Sequence, residues 1–254
     1  MSEVKRMTLY AAHDTPFPHR VRLALAEANV EYDTIWIDLI DKPKWYEKKV
    51  YPTARVPMLV YGGGPLGPDE APAADAVKIG ESLAINEFLA DLLPDAHLLP
   101  ADPVARAHAR LFARAVDEQF LPAFFKFLFL GAPVEPLLDA FEGMQALLGG
   151  AYAVGDAWSI ADAAFVPLLA RLDNACRGAK PMGEENAKAI IEALESERFK
   201  KLKGYKERNY ARPSFVQTWD EVAVHENFMR RLDRFRKTGK INMDLTIPLP
   251  PKQN

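Results

Sequence analysis

Apolar and polar positions change period several times along the first hundred residues. Met7 to Ala12 is a short apolar run of strand character. Phe17, Val21, Ala24, Leu25 and Ala28 then recur at helical spacing, which predicts a helix from Thr15 to about Asn29. From Tyr32 to Asp38 the period drops to two: Ile35, Ile37 and Leu39 alternate with Thr34, Trp36 and Asp38. This β-α-β order predicts a parallel strand pair with a right-handed crossover. Lys42-Pro-Lys-Trp-Tyr is a loop that opens a short irregular helix. Arg55 to Tyr61 supplies a third strand, entered through Val56-Pro57, and a Gly- and Pro-rich loop covers Gly62 to Asp75. Ala76 to Ile79 is a fourth short strand. It runs through Gly80-Glu81-Ser82 into an amphipathic helix with Leu83, Ile85, Phe88, Leu89 and Leu92 on its apolar side.

The remainder has only helical period. Prolines between Leu93 and Asp102 end the preceding helix, and Asp102-Pro103 reads as an N-cap followed by proline at the first helical position. A long helix follows, with Pro122 predicted to bend it. Beyond the bend come Phe124, Phe125, Phe127 and Phe129, rings on more than one helical face. Two uses fit them: packing between helices, or the wall of an apolar pocket. Further helices are predicted over Pro133–Leu148, Ile160–Leu172 and Glu184–Tyr205. A short one starts at Arg212-Pro-Ser-Phe, and a last one runs from Val222 to Arg236. Ser159 and Asp162 form a capping-box pattern ahead of Ile160, a folding role and not a chemical one. Ile247-Pro-Leu-Pro-Pro reads as an extended tail.

Composition narrows the function. The chain has 254 residues, 49% of them apolar, and a net charge of −3, without the basic excess of a nucleic-acid partner. The basic end of the last helix suits a helix C-terminus. No run reaches the apolar length of a membrane span, and the first residues lack the apolar stretch of a secretory signal. Cys176 is the single cysteine, so no internal disulfide forms and no multi-cysteine zinc site exists; the five histidines are scattered and no metal is expected. The expected location is the cytosol.

Candidate chemistry concentrates at His13-Asp-Thr-Pro-Phe-Pro-His-Arg, the strand-to-helix turn. A helix start presents unpaired N–H groups and partial positive charge, a place to hold an anion such as a thiolate. Thr15 sits at the N-cap, where its hydroxyl either caps the helix or donates to that anion. His13 and His19 are taken as structural.

Thr15-Pro-Phe-Pro-His-Arg, Lys42-Pro-Lys-Trp-Tyr, Val56-Pro57 and Glu81-Ser82, in this order and spacing, resemble the glutathione-site signature of the glutathione transferases, in particular the omega class and its omega-like relatives. The resemblance implies a thioredoxin-like domain over residues 1–95, an all-helical domain over 103–236 and an extended tail over 237–254: an α/β domain followed by an all-α one. It implies glutathione as co-substrate and no metal. Thr15 faces the glutathione sulfur; Glu81 and Ser82 take the γ-glutamyl end; Lys42 reaches the glycyl end. A cis Pro57 leaves the Val56 backbone to pair with the cysteinyl part. Phe17 and Leu39 complete the glutathione-binding set. Phe17, Phe120, Phe124 and Phe127 are expected to form the hydrophobic substrate site. A homodimer is implied as well.

One departure stands out. Omega members typically carry cysteine where this chain has Thr15, and threonine cannot form the mixed disulfide with glutathione. The expected activity is therefore thiolate activation for attack on hydrophobic electrophiles, with organic hydroperoxides as a second substrate class, and not thiol transfer or dehydroascorbate reduction. A ligandin-like carrier of aromatic or polyphenolic molecules, with low turnover, is the alternative.

Overall fold

A computed structural model describes residues 4–240. Its first part is a four-stranded sheet in the order β2-β1-β3-β4. The strands are β1 (Met7–Ala11), β2 (Asp33–Trp36), β3 (Met58–Tyr61) and β4 (Val77–Gly80). β1 pairs parallel with β2, Tyr10 opposite Ile35, and antiparallel with β3, Leu9 opposite Leu59. β4 closes the sheet antiparallel to β3. Side chains alternate across β1. Met7, Leu9 and Ala11 enter the main core, whereas Tyr10 joins Ile35, Ile37, Met58 and Val60 in a smaller core on the other face. All five residues of β1 are buried, because both sheet faces are covered.

The main-core face is covered by α1 (Pro16–Glu27) and α2 (Ser82–Leu92). On the other face no regular helix is found among the described residues. Tyr46–Val50 forms one wide π turn instead, with Tyr46 and Val50 buried and the Tyr46 hydroxyl donating to the Arg55 carbonyl at 2.7 Å. Pro52 forbids continuation: the residue before a proline is driven out of the α region, and Tyr51 is extended at φ −140°, ψ 111°.

Helices make up the rest of the described chain. They are α3 (Pro103–Ala115), α4 (Leu121–Leu130), α5 (Glu135–Leu147), α6 (Ile160–Arg177), α7 (Glu184–Glu195), α8 (Lys200–Tyr210), α9 (Pro213–Thr218) and α10 (Glu221–Thr238). Pro122 marks the predicted irregularity, but the disturbance lies one turn earlier. Val116–Phe120 is a π segment joining α3 to α4, with the Leu121 N–H reaching back to the Val116 carbonyl. Widening the turn there accommodates the ring and the missing N–H of Pro122.

The single helix expected over Glu184–Tyr205 is broken. Ser196 is extended, its hydroxyl donates to the Ala193 carbonyl at 2.6 Å, and a 3-10 turn over Glu197–Phe199 carries the fully buried Phe199 into the core. Helix α6 runs past its expected end at Leu172 to Arg177, through an internal Pro167. The capping box is present: Asp162 accepts from the Ser159 N–H and, at 2.8 Å, from the Ala153 N–H. The last helix extends to Thr238, past the expected start of the tail at residue 237, and the stretch expected to be extended, Ile247 to Pro251, lies outside the described residues.

Two partly buried ion pairs join the parts. Arg212 grips Glu27 of α1 with two bonds of 2.6 Å. Arg20 of α1, with no exposed surface, donates to the Ala164 carbonyl of α6 at 3.0 Å and to Asp117 at 2.6 Å.

Candidate functional site

The strand-to-helix turn opens into a cleft of about 1360 Å³ between the sheet domain and the helices. Thr15 and Phe17, Leu39 and Lys42, Val56 and Pro57, and Glu81 and Ser82 all line it, although the chain separates them by up to 67 positions. The topology makes this possible, since each residue follows or precedes a strand at the same end of one sheet.

Thr15 is the N-cap of α1, extended at φ −124°, ψ 143°, and 6% exposed. Its side chain makes no capping bond. A cap hydroxyl accepts from the N–H of the second or third helical residue; here Pro18 removes the third donor, and the second, Phe17, makes no bond to the hydroxyl. Thr15 lines the cleft with its hydroxyl outside the capping pattern. Pro16 and Pro18 leave Phe17 as the one N–H donor among the first three helical positions.

Val56-Pro57 is cis, as the resemblance implies. Glu81 joins β4 to α2 with φ +65°, a conformation that costs a non-glycine residue of order 1–3 kcal/mol and is held only where surrounding structure requires it. Burial raises the Glu81 carboxyl above the ordinary carboxylate range; Arg55 opposes the shift and Asp117 adds to it. Ser82 is 5% exposed and its Oγ accepts from Arg20 at 3.4 Å. Lys42 stands at the exposed rim. Desolvation, then the charges of Arg231, Arg55 and Arg234, lower its pKa, and Asp14 opposes them.

Asp117 and Arg20 are members of this region that sequence reasoning did not single out. Asp117 lines the cleft beside Glu81 and is bonded twice by Arg20, which also holds Ser82. The available signal was Arg20 itself, a charge beside His19 on a helix whose other inward residues are apolar. Two carboxylates, a hydroxyl and a buried guanidinium are the groups that an amino-acid head, ammonium plus carboxylate, would meet.

The opposite wall is aromatic. Phe124, Phe125, Leu128 and Phe129 of α4 line the cleft with Phe228 of α10. Their rings form a chain: Phe124 to Phe125 at 5.6 Å, Phe125 to Phe129 at 6.0 Å, Phe129 to Phe228 at 5.8 Å. Phe120 and Phe127, expected on this wall, do not line the cleft. Both are fully buried in the core, Phe120 at 4.7 Å from Phe141 and 4.9 Å from Phe165. Helical spacing explains the correction. Positions 124, 125, 128 and 129 share one face; 120 and 127, seven apart, share the adjacent one, turned toward α5 and α6.

Helix α10 closes the cleft over the loop that carries Leu39 and Lys42. Arg230 pairs with Asp38 at 2.6 Å, Arg234 donates to the Ile40 carbonyl, and Arg231 meets Asp14 at 3.5 Å. Burial raises the Asp14 carboxyl, and Arg231 opposes that shift. His19 is buried in a fixed tautomer: Nδ1 accepts from Arg171 at 3.3 Å and Nε2 donates to Thr218 Oγ1 at 3.0 Å, because that hydroxyl already donates to Ser214. His13 stacks on Trp36 at 3.6 Å. Cys176 is 2% exposed, outside the cleft, and burial pushes its thiol up to about 12. Among the described residues no group of His, Cys, Asp or Glu is placed to hold a metal ion, and no helix is long and apolar enough to cross a membrane.

Comparison with known proteins agrees with this geometry. The family model for the glutathione S-transferase N-terminal domain matches residues 15–92. Among curated relatives, the pyrimidodiazepine synthase of Drosophila melanogaster is 30% identical over 247 residues, 95% of this chain and 90% of that one. Among solved structures, glutathione transferase Omega 1C from Trametes versicolor is 40% identical with a TM-score of 0.83, covering 90% of this chain and 97% of that one. Glutathione transferase Omega 2S of the same organism, in complex with 2,4-dihydroxybenzophenone, is 39% identical with a TM-score of 0.82, covering 89% and 99%. The chain belongs to the glutathione transferase family, in its omega class, a family that uses glutathione as co-substrate.

Proposed function

We propose that this transferase activates the thiol of glutathione for attack on aromatic and other hydrophobic electrophiles, with organic hydroperoxides as a second substrate class. The observation that carries the reading is the Thr15 hydroxyl: unengaged in capping, at a helix start, on a cleft shared with an aromatic wall. A thiol resembling free cysteine has a pKa of about 8.5, so little is thiolate at neutral pH. Lowering it by about 2 units takes about 2.7 kcal/mol of preferential stabilisation of the thiolate. A charge-assisted hydrogen bond, worth roughly 1.5–3 kcal/mol, is of the right size. Thr15 acts as a donor and forms no covalent intermediate. Lys42 takes the glycyl carboxylate, the Val56 backbone the cysteinyl part, and Glu81 with Ser82 the γ-glutamyl head, with Phe17 and Leu39 packing beside them.

Thiol transfer and dehydroascorbate reduction are disfavoured on this reading. Threonine offers no sulfur, and Cys176 is a buried, protonated thiol away from the cleft. Glutathione-dependent turnover of a panel of aryl halides, isothiocyanates and hydroperoxides tests the proposal. Turnover of these classes, with no reduction of mixed disulfides assayed alongside, supports it; robust disulfide reduction with no conjugation or peroxidase activity overturns it.

The size of the cleft and the benzophenone bound by the Omega 2S relative favour a second reading, a ligandin-like carrier of aromatic molecules. Tight aromatic binding without turnover in the same panel would select it. A homodimer in the cytosol is the expected setting. Exposed Val104 and Leu111 on α3 and Val77 on the edge strand β4 support the pairing, and light scattering that finds a monomer at micromolar concentration rejects it.

A further inference from the structure

Charge is unevenly distributed on the aromatic side of the cleft. Arg171 of α6 lines it and is 8% exposed. Its hydrogen bonds go to neutral acceptors: Nη1 to the Pro167 carbonyl at 3.1 Å and to His19 Nδ1 at 3.3 Å, Nη2 to the His13 carbonyl at 2.8 Å. Its buried Nε has no partner. Neighbouring His19 adds no compensating charge, because its Nδ1 lone pair must face a guanidinium that has only donors. Arg231 reaches the same region from α10, 5.9 Å from the Phe129 ring centroid and 3.5 Å from Asp14, and keeps 22% of its side chain exposed. Arg234, three residues on, also lines the cleft, and its bond is to the neutral Ile40 carbonyl.

The carboxylates of the cleft do not balance this group. Asp117 is held by Arg20, and Glu118 pairs with Arg114 at 2.8 Å on the outer surface. Glu81 lies at the other end, beside Arg55 and Asp117. Asp14 alone faces Arg171 and Arg231. An excess of guanidinium charge beside a wall of flat rings matches a ligand that is itself aromatic and anionic.

We propose that Arg231, with Arg171 behind it, forms an anion-recognising subsite in the aromatic wall, which selects aromatic ligands bearing a carboxylate, sulfonate or phenolate over their neutral counterparts. The proposal rests on the reading of the Phe124–Phe129 face as the aromatic binding wall. Rings stack on that face, and the anionic substituent meets the Arg231 guanidinium, whose place over Phe129 sets the distance between the two. Asp14 competes with the ligand for the same guanidinium.

Two fluorescent probes with the same ring system test it: 8-anilinonaphthalene-1-sulfonate and the neutral N-phenyl-1-naphthylamine. The full chain is expected to bind the sulfonate at least about ten-fold more tightly. Arg231→Gln should remove most of that preference while the neutral probe's affinity moves less than about two-fold, and Arg231→Lys should keep an intermediate preference. Asp14→Asn should raise sulfonate affinity several-fold by removing the competitor, roughly the effect of one ion pair in a cleft. Neutral-probe binding without sulfonate preference, or an equal loss of both probes in Arg231→Gln, overturns the subsite and leaves the aromatic wall standing. Failure of both probes to bind the unaltered protein overturns the two together, whereas a failure of the glutathione reading shows separately, in glutathione affinity.

Discussion

The two halves of the cleft are built in opposite ways. The sheet-domain half, from Thr15 to Ser82, consists of strand ends and turns whose backbone does much of the work. Pro16 and Pro18 strip donors from the first turn of α1, Pro57 is cis, and Glu81 holds a positive φ. The helical half is a side-chain surface, in which α4 contributes rings along one face, α6 an arginine and α10 a ring and two more arginines. Changes in the first half should therefore alter chemistry and recognition of one small molecule at little cost in stability. Changes in the second should alter stability or apolar affinity according to which face of a helix they touch.

The largest expected effect sharpens that second statement. Phe120→Ala removes a ring enclosed by Phe141 and Phe165 and should cost about 3–5 kcal/mol in denaturant unfolding. Phe125→Ala, on the cleft wall of the same continuous helix, should cost less than half as much and weaken binding of a neutral aromatic probe. Equal stability losses with unchanged probe binding would erase the distinction between core and wall.

Next in size is Thr15→Val, a near-isosteric loss of one hydroxyl. It should raise the pKa of bound glutathione thiol by about 1–2 units, the equivalent of a charge-assisted hydrogen bond, with glutathione affinity nearly unchanged. The ultraviolet absorbance of the bound thiolate, followed against pH, measures it. An unshifted titration would assign Thr15 to structure alone. Thr15→Cys should introduce mixed-disulfide reduction, which the unaltered chain is expected to lack.

A pH dependence follows from Glu81. Its pKa is raised by burial, so on acidification it takes up a proton before an ordinary glutamate does. If the carboxylate receives the ammonium of glutathione, affinity is full above that raised pKa and weakens as pH falls through it. Glu81→Gln should bind more weakly at neutral pH and lose this acid limb. Calorimetric titration across acid pH decides, and an unchanged limb in Glu81→Gln would place the titrating group elsewhere.

The smallest effect is a silence. Cys176, pushed up to about 12 by burial, should not react with an aromatic disulfide reagent in the native protein at pH 8, and should react once on unfolding. Rapid native reaction would reopen the question of a sulfur-based activity.

The sequence by itself determined what is local. Periods of two and 3.6 placed the strands and most helices, Ser159 and Asp162 marked the start of α6, and Thr15-Pro-Phe-Pro marked a helix start suited to an anion. The resemblance grouped Thr15, Lys42, Val56, Pro57, Glu81 and Ser82 as one candidate site, and they line one cleft because each flanks a strand at the same end of the sheet. Tertiary structure decided the rest. Whether a phenylalanine on α4 meets α5 and α6 or the cleft depends on which neighbours occupy its two apolar faces, and periodicity shows only that both are apolar. Asp117 became a partner of Arg20, and Arg231 a neighbour of Asp14, through contacts spanning 97 and 217 positions, which no local pattern records. The break at Ser196 arose in the same way: helical propensity continues through it, and burial of Phe199 against Phe141 overrides that propensity because core packing outweighs the few tenths of a kcal/mol per residue that propensity supplies.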